Sequence, residues 1–123
     1  MLELIQAMLN DVELNKLVGS NIFPTQTDYL GDCILYSFHT TMSDRITERC
    51  RLQLTIIAST MATTLLIEDR IKYLLLSLGD EPLTNDILRV EINGGGTLYD
   101  NDRKKFHRII YFNILKRGVY NNG

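Results

Sequence analysis

The sequence is poor in residues that cross-link or kink a chain: 123 residues include no tryptophan, two cysteines and two prolines. It also lacks a long apolar run, and no stretch approaches the roughly 20 residues that a membrane-spanning helix needs. Cys33 and Cys50 lie in apolar stretches without a Cys-x-x-Cys partner. We therefore expect two buried free thiols in a reducing compartment rather than a disulfide framework.

An excess of charge of one sign is also missing. Thirteen Lys and Arg against fifteen Asp and Glu give a net charge of −2, so no strong field would draw the chain onto nucleic acid or an anionic membrane. The N-terminal segment has no basic n-region, unlike a signal peptide. The 45% apolar and 23% charged residues are typical of a globular protein. We expect one soluble, intracellular domain over residues 1–123, without a membrane segment.

Apolar residues at helical spacing predict an N-terminal arm of two short helices, with a break near residues 10–11. The second helix closes at Gly19, where a left-handed C-terminal residue is expected, and Asp11 is placed to cap its start. The loop that follows turns at Pro24 and holds at most a brief strand at residues 22–23.

The middle of the chain predicts two strands and one long helix. Residues 33–38 are rich in β-forming side chains and lead into a polar turn. Polar and apolar residues alternate over residues 49–56, which is typical of an antiparallel strand with one solvated face. After Thr60 the spacing becomes helical and continues to about Leu78, where a glycine ends the helix.

Two more strands are predicted over residues 88–92 and 107–116. The first ends at the consecutive glycines Gly94 to Gly96. Residues 97–105 carry many charged side chains and predict an exposed, mobile excursion between the two strands. The order of elements predicts an α+β fold. Its sheet has four mainly antiparallel strands, and two helices, the N-terminal arm and the long central helix, pack on one face.

The long helix is apolar on two opposite sides. At about 100° per residue, the expected core stripe consists of Thr64, Ile67, Ile71, Leu74, Leu75 and Leu78. A second apolar group lies on the opposite side and consists of Leu65, Leu66, Tyr73 and Leu76. Either the N-terminal arm covers this second side within the chain, or a neighbouring subunit covers part of it. The second alternative makes these four residues a candidate subunit interface.

No chemical motif in the sequence predicts an enzyme, a cofactor site or a metal site. The triple glycine is not followed by the helix that a phosphate-binding loop requires. Asp100 and Asp102 lack the glycine and glutamate of a calcium loop. His39 and His107 have no nucleophile with a recognisable signature beside them. We therefore expect no catalysis.

Basic and aromatic residues alternate near the C-terminus, a pattern that admits single-stranded nucleic-acid binding by charge and stacking. Strand alternation would distribute these side chains over both faces of a sheet, so a solvated loop and strand end is the favoured interpretation. The basic residues are Arg103, Lys104, Lys105, Arg108, Lys116 and Arg117, and the aromatic residues are Phe106, Tyr111 and Tyr120.

Three segments form a combination that covers most of the chain. They are the amphipathic arm ending in LNKLVGSNIFP, the strand RCRLQLTIIAS followed at once by a long helix, and the late segment TLYDNDRKKFHRIIYFNI, in which a Tyr-Asp turn leads into a strand. Together they resemble the minor tail-completion, or tail-terminator, proteins of long-tailed bacteriophages and related phage-tail-like particles.

The resemblance implies a structural role. Subunits of that family close into a ring, expected to be a hexamer, that caps the head-proximal end of the tail tube and offers a surface to the head or neck connector. The implied partners are further copies of the chain, the tail-tube protein, the connector and, in contractile tails, the sheath protein. The implied location is the tail–neck junction of a virion assembled in the bacterial cytoplasm. DNA would pass through the ring without sequence-specific binding.

Two other interpretations stay open. One is a head-completion or neck protein of the same machinery, and the other is a small nucleic-acid-binding or regulatory module that uses the basic C-terminal strand. For the structural role, the glycine-rich and charged segment near the C-terminus is the candidate partner-contact loop. It consists of Gly94, Gly95, Gly96, Tyr99, Asp100, Asp102, Arg103, Lys104 and Lys105.

Overall fold

The computed structural model describes residues 2–25, 29, 31–43, 46–76 and 87–117, without the side chains of residues 2, 3 and 88. The elements follow in the order α1 (Leu2–Leu9), α2 (Val12–Val18), β1 (Ile22–Pro24), β2 (Cys33–Ser43), β3 (Thr47–Ala58), α3 (Met61–Leu76), β4 (Ile87–Asp100) and β5 (Lys105–Arg117). The predicted α+β class is confirmed. The predicted end of the long helix near Leu78 lies outside the described residues.

The N-terminal arm is two helices, as the spacing of apolar residues predicted. Asp11 has an extended backbone and caps α2, because its carboxylate accepts the backbone N–H of Leu14 at 2.8 Å. At the other end, Gly19 has a φ of 61° and donates its N–H to the carbonyl of Asn15 at 2.8 Å. Both caps satisfy backbone groups that a seven-residue helix cannot pair internally.

The sheet has five strands in the order β1-β2-β3-β5-β4, not the predicted four. β2 to β5 pair antiparallel, while β1 pairs parallel to β2 with Ile22 opposite Ile34. β1 is only three residues long, too short for polar and apolar residues to alternate visibly. The polar turn expected after residue 38 is also wrong, because β2 stays paired with β3 to Ser43.

β4 does not end at the glycines, contrary to expectation, but continues through them to Asp100. A Cβ at Gly95 would collide with the carbonyl oxygen of Ile109, so only glycine allows β4 to approach β5 so closely. Gly94 has a φ of 86° at a shift in register between Ile92 and Gly95. The predicted excursion over residues 97–105 is therefore wrong. It is a β-hairpin whose four-residue tip spans residues 101–104.

The three helices and one face of the sheet enclose a single core. The predicted alternation in β3 is confirmed, since Cys50, Leu52, Leu54 and Ile56 are buried. The helices and the neighbouring strand contribute buried residues that include Leu4, Met8, Leu14, Ile67, Ile71, Leu75, Ile110, Phe112 and Ile114. In the described part of the chain no helix packs on the other side of the sheet, which we call the open face.

One ionic contact crosses the core between α3 and the sheet. Glu68 is 4% exposed and accepts a hydrogen bond from Nε of Arg108 on β5 at 2.7 Å. Arg108 also donates from Nη1 to the hydroxyl of Thr97 on β4 at 2.8 Å, and Nζ of Lys72 lies 3.3 Å from Glu68. Burial alone would raise the pKa of Glu68, but hydrogen bonds from Arg108 and Lys72 outweigh it and lower that pKa.

Replacing Glu68 with alanine should lower the free energy of unfolding by about 3–5 kcal/mol, because it leaves Arg108 partly buried without its carboxylate. Glu13→Ala is the matched control. Glu13 is an exposed helix glutamate whose contact with Lys16 is solvated, so its loss should change stability by about 0.5 kcal/mol or less. Urea unfolding measures both free energies. Equal small effects would contradict the role of Glu68 in holding α3 against β5.

Candidate assembly surfaces

The inward side of α3 is the predicted core stripe. Thr64, Ile67, Ile71 and Leu75 are buried, and Leu74 is partly buried against the core. Thr64 directs its hydroxyl back to the carbonyl of Met61 at 2.6 Å, which satisfies its polar atom within the helix. Leu78 lies outside the described residues. The side of α3 that faces away from the sheet is therefore the one open to other contacts.

The outward side of α3 keeps large apolar side chains in contact with solvent. Leu65 is 41% exposed, Leu66 57% and Tyr73 59%, although both helices of the arm contact α3. We call these three residues the outer surface of α3. Leu76, the fourth residue of the predicted interface, packs partly against the core instead. Among the described residues, the arm therefore leaves most of the predicted second apolar side of α3 uncovered.

A groove separates α2 from α3 beside this surface. It has a volume of about 530 Å³. Its lining includes the apolar side chains of Leu17 and Leu66 together with Glu13, Asp69 and Tyr73. The guanidinium of Arg70 stacks on the ring of Tyr73 at 4.6 Å from the ring centre. Exposed apolar side chains flanked by polar ones are typical of a surface that another protein covers.

A bidentate ion pair joins α2 to α3 beside this groove. Arg70 on α3 donates from Nε and Nη2 to the carboxylate of Asp11 at 2.8 and 2.6 Å. The same carboxylate caps α2, so one side chain joins the two helices. The hydrogen bond from Arg70 lowers the pKa of Asp11, and this outweighs the raising effect of partial burial.

Asparagine at position 11 should keep the cap but lose the ion pair, whereas Asp11→Ala should lose both and be less stable than Asp11→Asn by about 1 kcal/mol. Because the pKa of Asp11 is lowered in the folded state, the contribution of its charge is complete above the ordinary carboxyl pKa of about 4. It is lost as the pH falls through the lowered value. Thermal melts across pH should show wild type and Asp11→Asn converging in acid. A constant difference at every pH would argue against the charge pair.

Of the candidate partner-contact loop, only Asp102, Arg103 and Lys104 lie in the tip of the β4–β5 hairpin. The predicted residues from Gly94 to Asp100 belong to β4, and Lys105 begins β5. Asp100 orders the turn by accepting the backbone N–H groups of Asp102 and Arg103 at 3.0 and 3.3 Å. Tyr99 packs edge-on against Phe106 with ring centres 4.8 Å apart, and its neighbour Leu98 is exposed. The turn therefore presents Asp102, Arg103 and Lys104 to solvent.

The basic C-terminal residues do not form one surface. Lys105 reaches Asp32 at 3.0 Å and the hydroxyl of Ser59 at 2.7 Å, so it fastens the hairpin to the body of the chain. Arg108 points into the core, and Lys116 lies 3.8 Å from Glu48. Three of the six basic residues are thus matched with carboxylates. This arrangement offers less free charge for nucleic acid than the sequence suggested.

Three arginines come together on the open face of the sheet, a grouping that sequence reasoning missed. Arg49 and Arg51 on β3 and Arg89 on β4 line a shallow pocket of about 250 Å³. Arg51 lies over the ring of Tyr111 at 5.2 Å, and Arg89 pairs with Glu91. Alternation in β3 placed the first two on one face, but only the order of strands shows that β4 lies beyond β5.

The described residues contain no group of three or more His, Cys, Asp or Glu side chains that could hold a metal ion. Cys33 and Cys50 are buried free thiols, as predicted. Burial raises the pKa of both thiols, which keeps them protonated and unreactive. Among the same residues, no helix is long and apolar enough to cross a membrane.

Comparison with solved structures gives a match in fold. The chain superposes on a chain from a structure titled "Virion of native gene transfer agent (GTA) particle" with a TM-score of 0.74 and 14% sequence identity. The match covers 94% of this chain and 92% of the other. No protein-family model and no curated protein matches the sequence. The two chains thus share one fold over nearly their whole lengths.

Proposed function

We propose that the chain is a structural subunit of a phage-like virion. The observation that carries this proposal is the shared fold with a chain of a gene transfer agent particle, with little unmatched length on either side. The exposed apolar residues on α3 support it, because a subunit whose work is to assemble needs surfaces that another protein covers.

Within that class, we propose a tail terminator: a ring, expected to be a hexamer, that caps the tail tube and contacts the head or neck connector. The segments that suggested this family lie in α2 and β1, in β3 leading directly into α3, and in the β4–β5 hairpin. The ion pair between Glu68 and Arg108 fixes α3 on the sheet. A fixed helix–sheet arrangement suits a ring, because every subunit of a ring must have the same geometry. The hairpin tip is exposed, and in this proposal the tube or the connector meets it there.

The outer surface of α3 is the subunit contact in this proposal. Leu66 and Tyr73 flank the α2–α3 groove, so a neighbouring copy that filled the groove would cover both side chains. Burying such residues stabilises association by roughly 25 cal/mol for each Å² of apolar surface removed from water. The charged residues of the groove would orient the neighbour, since opposite charges set register more than affinity.

Leu66→Asp and Tyr73→Asp should prevent assembly and leave the fold of the monomer intact, because a charge that is harmless in water is costly in an apolar contact. Leu76→Asp should instead lower the melting temperature, since Leu76 packs against the core. Gln6→Asp, at an exposed position of α1, is the control for added charge. Light scattering after size exclusion, run with circular dichroism melts, measures both effects. Normal assembly of Leu66→Asp would exclude this surface from the contact.

The ring itself is tested by the mass of the purified chain over a range of concentrations and in a mixture with the tail-tube protein. A hexamer has a mass of about 85 kDa, six times the 14.1 kDa of one chain. Electron microscopy should show tubes that end at normal length only when the chain is present. Binding to a portal-side connector without any effect on tubes would favour the head-completion alternative. A salt-sensitive shift with single-stranded nucleic acid would favour the regulatory module.

A further inference from the structure

The end of the sheet where β2 leads into β3 carries exposed apolar side chains. Met42 on β2 is 62% exposed, and Ile46, which directly precedes β3, is 69% exposed. Both are more exposed than any residue of the outer surface of α3. Neighbouring large apolar side chains that stay in water are typical of a surface that another protein covers.

Arg49 places a positive charge beside Met42. The two residues lie opposite each other on β3 and β2, so their Cβ atoms are about 5 Å apart. Arg49 is exposed, and within the described part of the chain it takes part in no ion pair. We call Met42, Ile46 and Arg49 the β2–β3 end. It presents apolar side chains and an unpaired guanidinium side by side.

The α2–α3 groove presents the complementary combination. Leu66, Asp69 and Tyr73 follow one another on α3 at spacings of three and four residues, and all three line the groove. Residues at these spacings are neighbours on a helix, with Cβ atoms about 5–6 Å apart. Asp69 is exposed and has no ion-pair partner among the described residues, whereas the other carboxylate of the groove, that of Glu13, is paired with Lys16.

The two surfaces match in charge and in spacing. A guanidinium and a carboxylate form a strong pair because two N–H groups can meet two oxygens. With Arg49 of one copy at Asp69 of another, Met42 lies one side-chain spacing away, which is also the spacing from Asp69 to Leu66 and Tyr73. The groove volume of about 530 Å³ is within the range of pockets that hold small molecules, so apolar side chains have room to enter.

We propose that the β2–β3 end of one copy occupies the α2–α3 groove of the next copy. Arg49 pairs with Asp69 of the neighbour, and Met42 packs on the neighbour's Leu66 and Tyr73. The two contacting surfaces are different, so each copy joins one neighbour through its β2–β3 end and another through its groove, as a ring requires. This proposal rests on the proposed ring and specifies which part of the neighbour covers the outer surface of α3.

Charge reversal in the full-length chain tests the ion pair. Arg49→Asp brings two carboxylates together at the contact and Asp69→Lys brings two cations together, so each variant alone should associate at least about tenfold more weakly than wild type. Both positions are exposed, so the melting temperature of the monomer should be retained. An equal mixture of the two variants should recover association, because every contact between unlike copies again joins opposite charges.

Analytical ultracentrifugation of each variant, of the mixture and of wild type, alone and with tail-tube protein, measures this recovery. A defect in the fold of either variant would not be repaired by mixing, so recovery is specific to a contact between copies. A mixture that associates as weakly as the single variants would overturn the pairing of Arg49 with Asp69.

Met42→Asp tests the apolar half of the contact, because a charge that is harmless in water is costly in an apolar groove. Leu98→Asp is the matched control. Leu98 is 64% exposed, and it lies in the row of Ile57 at the other end of β3. Met42→Asp should weaken association by at least about tenfold, whereas Leu98→Asp should associate as wild type does. Circular dichroism melts should show both monomers folded.

The outcomes separate this proposal from the proposed ring. Wild-type oligomers that tolerate both Met42→Asp and Arg49→Asp would overturn this proposal and leave the ring standing. Loss of tube binding in Leu66→Asp but not in Met42→Asp would assign the groove to the tube protein and would also overturn it. A wild-type chain that stays monomeric, with and without tube protein, would overturn both.

Discussion

The ion pair between Glu68 and Arg108 is the contact on which the arrangement of the molecule depends. It joins α3 to the central part of the sheet, and through Thr97 it reaches the edge strand β4. Because a helix turns about 100° per residue, directing Glu68 inward fixes which residues of α3 face outward. The same contact also holds β4 in place beyond its bulge. One buried carboxylate thus orients the outer surface of α3 and, through Arg108, fixes the position of β4.

The second constraint is the close approach of β4 to β5, which requires glycine at position 95. Gly95 lets β4 approach β5. The shift in register between Ile92 and Gly95 divides β4 into residues 87–92 and the segment that forms the hairpin with β5. Lys105 then ties the base of that hairpin to Asp32 and Ser59. β4 and the base of the hairpin are thereby connected to the rest of the sheet. A ring subunit needs that property if small errors in angle are not to accumulate around the ring.

Local patterns predicted much of this fold. The cap at Asp11, the alternation in β3, the core stripe of α3 and the buried cysteines all depend on residues close together in sequence, and each is found in the structure. What could not be predicted depends on distant partners. Glycines usually interrupt strands, and only the carbonyl of Ile109 explains why Gly95 lies within one. Arg108 looked like part of a basic surface, because its partner Glu68 is 40 residues away. The exposed residues of α3 were predicted as a group, whereas the position of Leu76 against the core depended on the packing of neighbouring elements.

The central claim is that identical copies join head to tail into a closed ring of a virion. Electron cryomicroscopy of the assembled oligomer tests it most directly, since one map shows symmetry, sheet edges and helix surfaces together. The account predicts cyclic symmetry, with the outer surface of α3 of each copy covered by the next. A two-fold dimer, in which the same patch of both copies meets itself, would contradict it.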